Sequence, residues 1–273
     1  MMRGLICGLR KIARILRVRQ TVWGLRWKAL NKIYKRHQCY ICNNRFRRFY
    51  PPMPDIKQIL SFIRQMNIVG SDVVNYGCPF CRSNDRERHL FLYFDRLKLW
   101  QSLRDASVLH FAPERNLSER IKACRPRSYF KADLYPANPE VQRVDIMDIP
   151  YGSASFDFVI CNHVLEHVAD DRRALGEIYR VMKPGGRAVI QTPFSTTLPR
   201  TFEDPGITTE QLRLKVYGQE DHVRVYGMDF FERLQAAGLR LKICRHDDVA
   251  TKSEAYYYGM NPKEDLILVE KSP

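Results

Sequence analysis

The stretch VDIMDIPYGSASFDFVICNHVLEHVADDRRALGEIYRVMKPGGRAVIQTPF, Val144 to Phe194, contains a complete strand–helix–strand unit. Phe156 to Cys161 is a short apolar, β-rich run of the kind that a strand buried on both faces requires. From His163 to Met182 the spacing turns helical, with Leu165, Val168, Leu175, Ile178 and Val181 recurring at three- and four-residue steps. Lys183-Pro184-Gly185-Gly186 stops that helix, since proline cannot continue it and glycine accepts the left-handed turn that follows. Arg187 to Thr192 restarts as a strand. This is the pattern of a βαβ unit, and it predicts a parallel sheet.

Around this unit the 273 residues suffice for one domain of ordinary size plus a smaller module, and 45% hydrophobic residues can form a real core. The formal charge of +15 is uneven, with Arg and Lys crowded into the first fifty positions. A basic head attracts phosphates of nucleic acid, of lipid headgroups or of a substrate; equally it can be a solubilising tail. No apolar run is long enough to span a bilayer. The opening MMRGLICGLRKIARILRV intersperses charge with apolar residues, where a secretory signal would separate them, so it is expected to be retained. Residues 3 to 36 place Leu5, Leu9, Ile12, Leu16, Trp23 and Trp27 at helical spacing among basic residues. That composition suits a helix lying on an anionic membrane surface, or a helix packed on the main domain. The expected location is cytoplasmic, with peripheral contact at the inner membrane face through residues 1–38.

Eight cysteines include the pairs Cys39/Cys42 and Cys78/Cys81, thirty-five residues apart. Two CxxC turns supply four thiolates, the number that a closed tetrahedral zinc site requires, and they fit a reducing compartment better than disulfides. His37 and His89 are the nearby bystanders. Between the pairs an apolar stretch, Ile56 to Met66, predicts a helix, and Arg82 to Trp100 predicts an amphipathic helix leading into the main domain. Strands are expected at Ala106–Phe111, Ser128–Asp133, Leu239–Cys244 and Leu266–Glu270, with a helix from Phe230 to Ala237 capped by Gly238.

The segment FDFVICNHVLEHVADDRRALGEIYRVMKPGG closely resembles class I S-adenosylmethionine-dependent methyltransferases, with Asp157, Glu166, His167, Arg180, Lys183, Pro184, Gly185 and Gly186 matching in order. Together with CYICNNRFRRFYP, CPFCRSNDRERHLFLYF and VLHFAPE, it resembles a subgroup carrying an N-terminal zinc-ribbon-like module, often linked to polysaccharide biosynthesis. The resemblance implies a Rossmann-like three-layer α/β sandwich with a mostly parallel seven-strand sheet. It divides the chain into a basic arm (1–38), a zinc module with a linking helix (39–100) and a methyltransferase domain (101–273). It also implies a cofactor site. Ala112, Glu114 and Asn116 stand where the family has three glycines, and His110 where it has an acid. Asn tolerates left-handed geometry, and Glu114 could meet the cofactor's ammonium; the opposite reading is a decayed site. Asp133, followed by Leu134, ends the second strand where an acid accepts from ribose hydroxyls. Asp145 and Ile146 fall where the adenine is held, and Asn162 and His163 end the fourth strand. Glu166 is read as structural, and His167 as packing or backbone-satisfying.

Beyond the fifth strand a loop-rich insertion runs to about Tyr226 and contains Gly218 to Arg224. Here His222 is the expected general base, Asp221 its orienter, and Arg224 with Gln219 the expected substrate contacts, unless His222 and Arg224 merely tie the loop to the sheet. The expected reaction is methyl transfer from S-adenosylmethionine to a sugar hydroxyl of a glycan or lipid-linked saccharide. RNA, gripped by the zinc module and basic arm, is the alternative acceptor, and an inactive scaffold is the third reading.

Overall fold

The computed structural model describes residues 36–52 and 57–273. The readings made on residues 1–35, including the membrane-surface helix, lie outside the described residues. Seven strands form one sheet: β1 (Ser107–Phe111), β2 (Ser128–Asp133), β3 (Gln142–Arg143), β4 (Phe156–Asn162), β5 (Met182–Gln191), β6 (Leu239–Cys244) and β7 (Leu266–Lys271). Their spatial order is β6-β7-β5-β4-β1-β2-β3. Strands β1 to β5 run parallel, and β7 is inserted antiparallel to both β5 and β6. The seven-strand, mostly parallel sheet is the one expected.

Alternation along the strands builds two cores. In β4, Val159 and Cys161 pack on one face with Ala174, Leu175, Ile178 and Phe230, while Phe158 and Ile160 pack on the other with Tyr93, Phe94 and Leu117. Both faces are therefore dry, as the apolar run required. Helices Asp171–Val181 and Phe230–Ala236 cover the first face, and helices Asp85–Arg96 and Arg115–Ala123 the second. The sequence-derived boundary at residue 100 cuts through this second core. Helix Asp85–Arg96 is one of its layers rather than a link, begun by a capping box between Asn84 and Glu87.

The helix expected over His163–Met182 is shorter than its apolar periodicity. A 3-10 turn, Leu165–His167, comes first, and the α-helix begins at Asp171 with the Asp170 carboxylate accepting from the Arg173 amide at 3.0 Å. His163, at φ +54°, breaks the backbone between strand and turn. Lys183 to Gly186 is drawn into β5 as an irregular start, with Gly185 at φ +75°.

The insertion after β5 holds an α-helix, Glu210–Tyr217, and the tyrosine-rich connection before β7 folds as His246–Val249 and Lys252–Tyr258. Among the described residues no helix is long and apolar enough to cross a membrane.

Candidate functional site

The chain leaves β1 toward one sheet edge and β4 toward the other, so a crevice opens at their carboxyl ends. Both exits carry left-handed residues that are not glycine, Ala112 at φ +46° and His163 at φ +54°. Such backbone costs roughly 1–2 kcal/mol per residue and persists where the surroundings enforce it. The turn after β1 thus keeps a glycine-like path without the glycine. Glu114 bridges the crevice: one oxygen accepts from Asn162 Nδ2 at 2.6 Å, and the other lies 3.0 Å from His110 Nε2. Burial alone would raise the Glu114 carboxyl, but His110 and Asn162 hold it below its ordinary range. His110 itself is fully buried behind Glu114, with Nδ1 on the Tyr129 hydroxyl. This corrects its expected place: it positions Glu114 and does not face a cofactor. Asn116 is likewise engaged, since its amide donates to Glu87, which closes the start of helix Arg115–Ala123.

At the end of β2, Asp133 is half-buried and accepts from the Tyr135 amide at 2.8 Å through one oxygen. Leu134 beside it is exposed. Asp145 accepts from the Met147 amide at 2.8 Å. The Ile146 side chain is buried in the main core, so the apolar face expected of it points inward and its backbone amide is what it can offer.

Past the ends of β4 and β5 lies a cavity of about 790 Å³. Its floor is His163, Glu166, His167 and Pro193. One wall and roof come from between the two CxxC pairs: Ile59, Phe62 and Ile63 of helix Lys57–Gln65, then Ile68, Val73 and Tyr76. The insertion supplies the opposite wall, from Glu210 to Val225. The two walls meet where Gly218, at φ +82°, passes the Phe62 ring; an added Cβ would stand 2.5 Å from Phe62 Cδ1. Gly218→Ala is expected to lose about 2 kcal/mol from the backbone alone, read as a lower denaturant midpoint, because the left-handed conformation and the ring cannot both be kept.

The geometry redistributes the expected catalytic roles. Asp221 does not orient His222; its carboxylate sits 3.2 Å from His167 Nδ1. His222 packs edge-on against the His167 ring, centroids 4.8 Å apart, and burial pushes it down to about 4. Burial also opposes charge on His167, but Asp221 and Glu166 outweigh it and raise the ring above its ordinary value. Gln219 caps Asp221, donating to its Oδ1 at 2.8 Å. Arg224 is spent internally: it pairs with Glu203 at 2.8 Å and donates to the carbonyls of Leu165, Val168 and Ala169. It is the tie that fastens the insertion to the sheet, not an anion clamp.

Three residues at this cavity are not among those expected to serve it: the sequence reads Glu166 as structural and His167 as packing or backbone-satisfying, and gives Arg86 no role. Glu166 and His167 face the cavity, and Arg86 lines it with a buried Nε that has no hydrogen-bond partner among the described residues. The guanidinium lies within electrostatic reach of Glu166 and Glu114. The only signal was their position inside two recognised motifs.

The Cys39, Cys42, Cys78 and Cys81 sulfurs lie within 4.8 Å of one another, with Cys39–Cys81 at 3.6 Å and Cys42–Cys78 at 3.8 Å. Four sulfurs bound tetrahedrally at about 2.3 Å would stand about 3.8 Å apart, so the donor set fits zinc. The two turns are built alike. The residue after each second cysteine, Asn43 or Arg82, is left-handed, and its amide returns to the first cysteine's carbonyl. His37 and His89 stay outside, on the Tyr256 carbonyl and on Glu264 respectively.

Residues 101–190 match the methyltransferase domain family. An O-methyltransferase (cnsE) of Penicillium expansum is 34% identical over 97 residues, 32% of this chain and 35% of that protein. A ubiquinone/menaquinone biosynthesis C-methyltransferase (UbiE) of Geotalea daltonii is 40% identical over 65 residues, 24% of this chain and 27% of that one. The chain thus spans about a third or less of these relatives' lengths. Among solved structures, an S-adenosylmethionine-dependent methyltransferase from Mesorhizobium loti is similar with a TM-score of 0.49 and 14% identity, covering 66% of this chain and 98% of that one.

Proposed function

We propose that this chain transfers the methyl group of S-adenosylmethionine to a hydroxyl of a saccharide acceptor. The observation that carries the reading is the crevice at the carboxyl ends of β1 and β4, within a segment that matches a methyltransferase domain, with His163 at the exit of β4 also lining the cavity. In this reading Asp133 accepts from the ribose diol and Asp145 from the adenine amine. Glu114, already ionised and braced by His110, receives the ammonium of the methionine part, and the nearby Arg86 guanidinium balances its carboxylate. The cofactor supplies an electrophilic methyl on a sulfonium. The protein's share is alignment, holding the acceptor oxygen in line with that carbon at near-attack distance. The cavity suits a sugar in volume and lining, because Phe62 and Tyr76 offer apolar faces opposite Glu210, Gln219 and Glu220.

Calorimetric titration of S-adenosylmethionine and of its demethylated product into the zinc-loaded chain tests the reading. Micromolar affinity for both is expected. Absence of binding by folded protein would overturn it and leave the scaffold alternative.

We further propose that the four cysteines hold a structural zinc, fixing the segment that roofs the cavity. Cys78→Ser is expected to remove zinc from metal analysis and to open residues 36–85 to proteolysis. A variant that stays metal-free and protease-resistant would refute this.

A further inference from the structure

We infer that Glu166, His167 and His222 form a second metal site, a two-histidine, one-carboxylate set for a divalent transition ion on the cavity floor. This rests on the methyl-transfer reading only for its role in the reaction, not for its existence.

One ligand atom from each residue lies within 4.8 Å of the others, and all three residues line the cavity. His167 Nε2 stands 4.0 Å from Glu166 Oε1, too far for a hydrogen bond. Two ligands of one ion bound at about 2.0–2.2 Å stand roughly 3 Å apart, so about 1 Å of closure brings Glu166 and His167 to ligand spacing, and about 2 Å at most brings in His222. The outer contacts match what such ligands need. Asp221 holds His167 Nδ1 at 3.2 Å, leaving Nε2 for the ion, which is the carboxylate–histidine–metal arrangement. The Glu166 carboxylate is itself steadied by Thr192 Oγ1 at 3.0 Å and His163 Nδ1 at 3.1 Å. The Val223 amide, bonded to the Glu166 carbonyl at 2.9 Å, brings the insertion and His222 over the floor.

Imidazole and carboxylate donors favour zinc, iron(II), manganese or cobalt over calcium, and three protein ligands leave positions open to the cavity. An acceptor alcohol bound at an open position gives up its proton to water more readily. Transfer then forms the C–O bond, breaks the S–CH3 bond, and returns that electron pair to sulfur as a thioether.

The test uses the full chain, washed with a chelator until only the cysteine-bound zinc remains, then titrated with cobalt(II) and followed by calorimetry and visible absorption. One further equivalent is expected, with the weak bands of nitrogen and oxygen ligation and no thiolate charge-transfer band. His167→Gln and His222→Gln should each weaken it by roughly tenfold or more, Asp221→Asn by roughly tenfold, and His222→Asp, which keeps a ligand, should retain it. Melting curves and S-adenosylmethionine affinity on the same samples report separately on fold and on cofactor binding. Cobalt uptake without cofactor binding would sustain the site while sinking the methyl-transfer reading. No equivalent beyond the cysteine cluster, or one unmoved by both glutamine variants, would overturn the site.

Discussion

Arg88→Leu is expected to be the most damaging single change among the described residues, lowering stability by about 4 kcal/mol and the melting temperature by roughly 10 °C. The side chain is fully buried, and its guanidinium lies 4.1 Å over the Phe49 ring. Nε donates to the Tyr258 carbonyl at 2.9 Å, one terminal nitrogen to Tyr76 and Ser83, and the other to Asn75 and Gly259. Five carbonyls from three separate segments share one planar donor fork. Leucine would fill part of the volume but strip four of those carbonyls of this donor, Ser83 alone keeping the Cys78 amide among the bonds described. Arg88→Lys should rescue little, because an ammonium has three donors in the wrong geometry. Chemical denaturation of the two variants beside the parent decides it; losses under about 1 kcal/mol would mean that water replaces the fork.

Asp133→Ala should cost about 2–3 kcal/mol of cofactor binding, a loss of roughly 30- to 150-fold, while leaving the melting temperature near the parent value. Two charge-assisted hydrogen bonds to a diol disappear, and among the described residues the internal bond lost is that to the exposed Tyr135 amide. Asp133→Asn keeps one acceptor and should fall between. Calorimetry with the demethylated product measures this without turnover. Unchanged affinity for the alanine variant would move the ribose elsewhere and remove the main support for the cofactor orientation.

The fold was readable from Val144–Phe194 because its distinctive residues are mostly structural. Asp157 accepts from the Ser107 amide and from Lys183, locking β4 to β1 and β5 at their amino ends, far from the chemistry. Arg180 binds the carbonyls of Ile149 and Tyr151. Such residues serve the sheet wherever it occurs, so they mark the architecture and leave the substrate unstated. The cavity was less legible. Its walls lie on either side of the sheet's first five strands in sequence, and His167 meets His222 only because the insertion folds back. The wall helix Glu210–Tyr217 hides its type as well. Leu212, Leu214 and Val216 fall two apart, a strand-like rhythm, and the helix owes its ends to the Thr209 cap and to left-handed Gly218. Arg224 misled for a related reason: sequence shows that a cation is present, not that four internal oxygens already claim it.

The Arg88 fork also sets an order of assembly. Its partners Tyr258 and Gly259 lie 170 and 171 residues further along the chain, and Tyr256, which receives His37, lies 219 residues beyond it, while the Tyr258 ring meets Tyr40 at 5.0 Å. Domains of many proteins settle from the amino end as they emerge. Here the cysteine turns have no seat until helix Lys252–Tyr258 arrives, so the emerging chain must carry them unsettled until that helix has been made. Nascent chains halted before residue 250 should therefore leave the cysteine turns around Cys39 and Cys81 open to protease, and chains extended past residue 271 should close them.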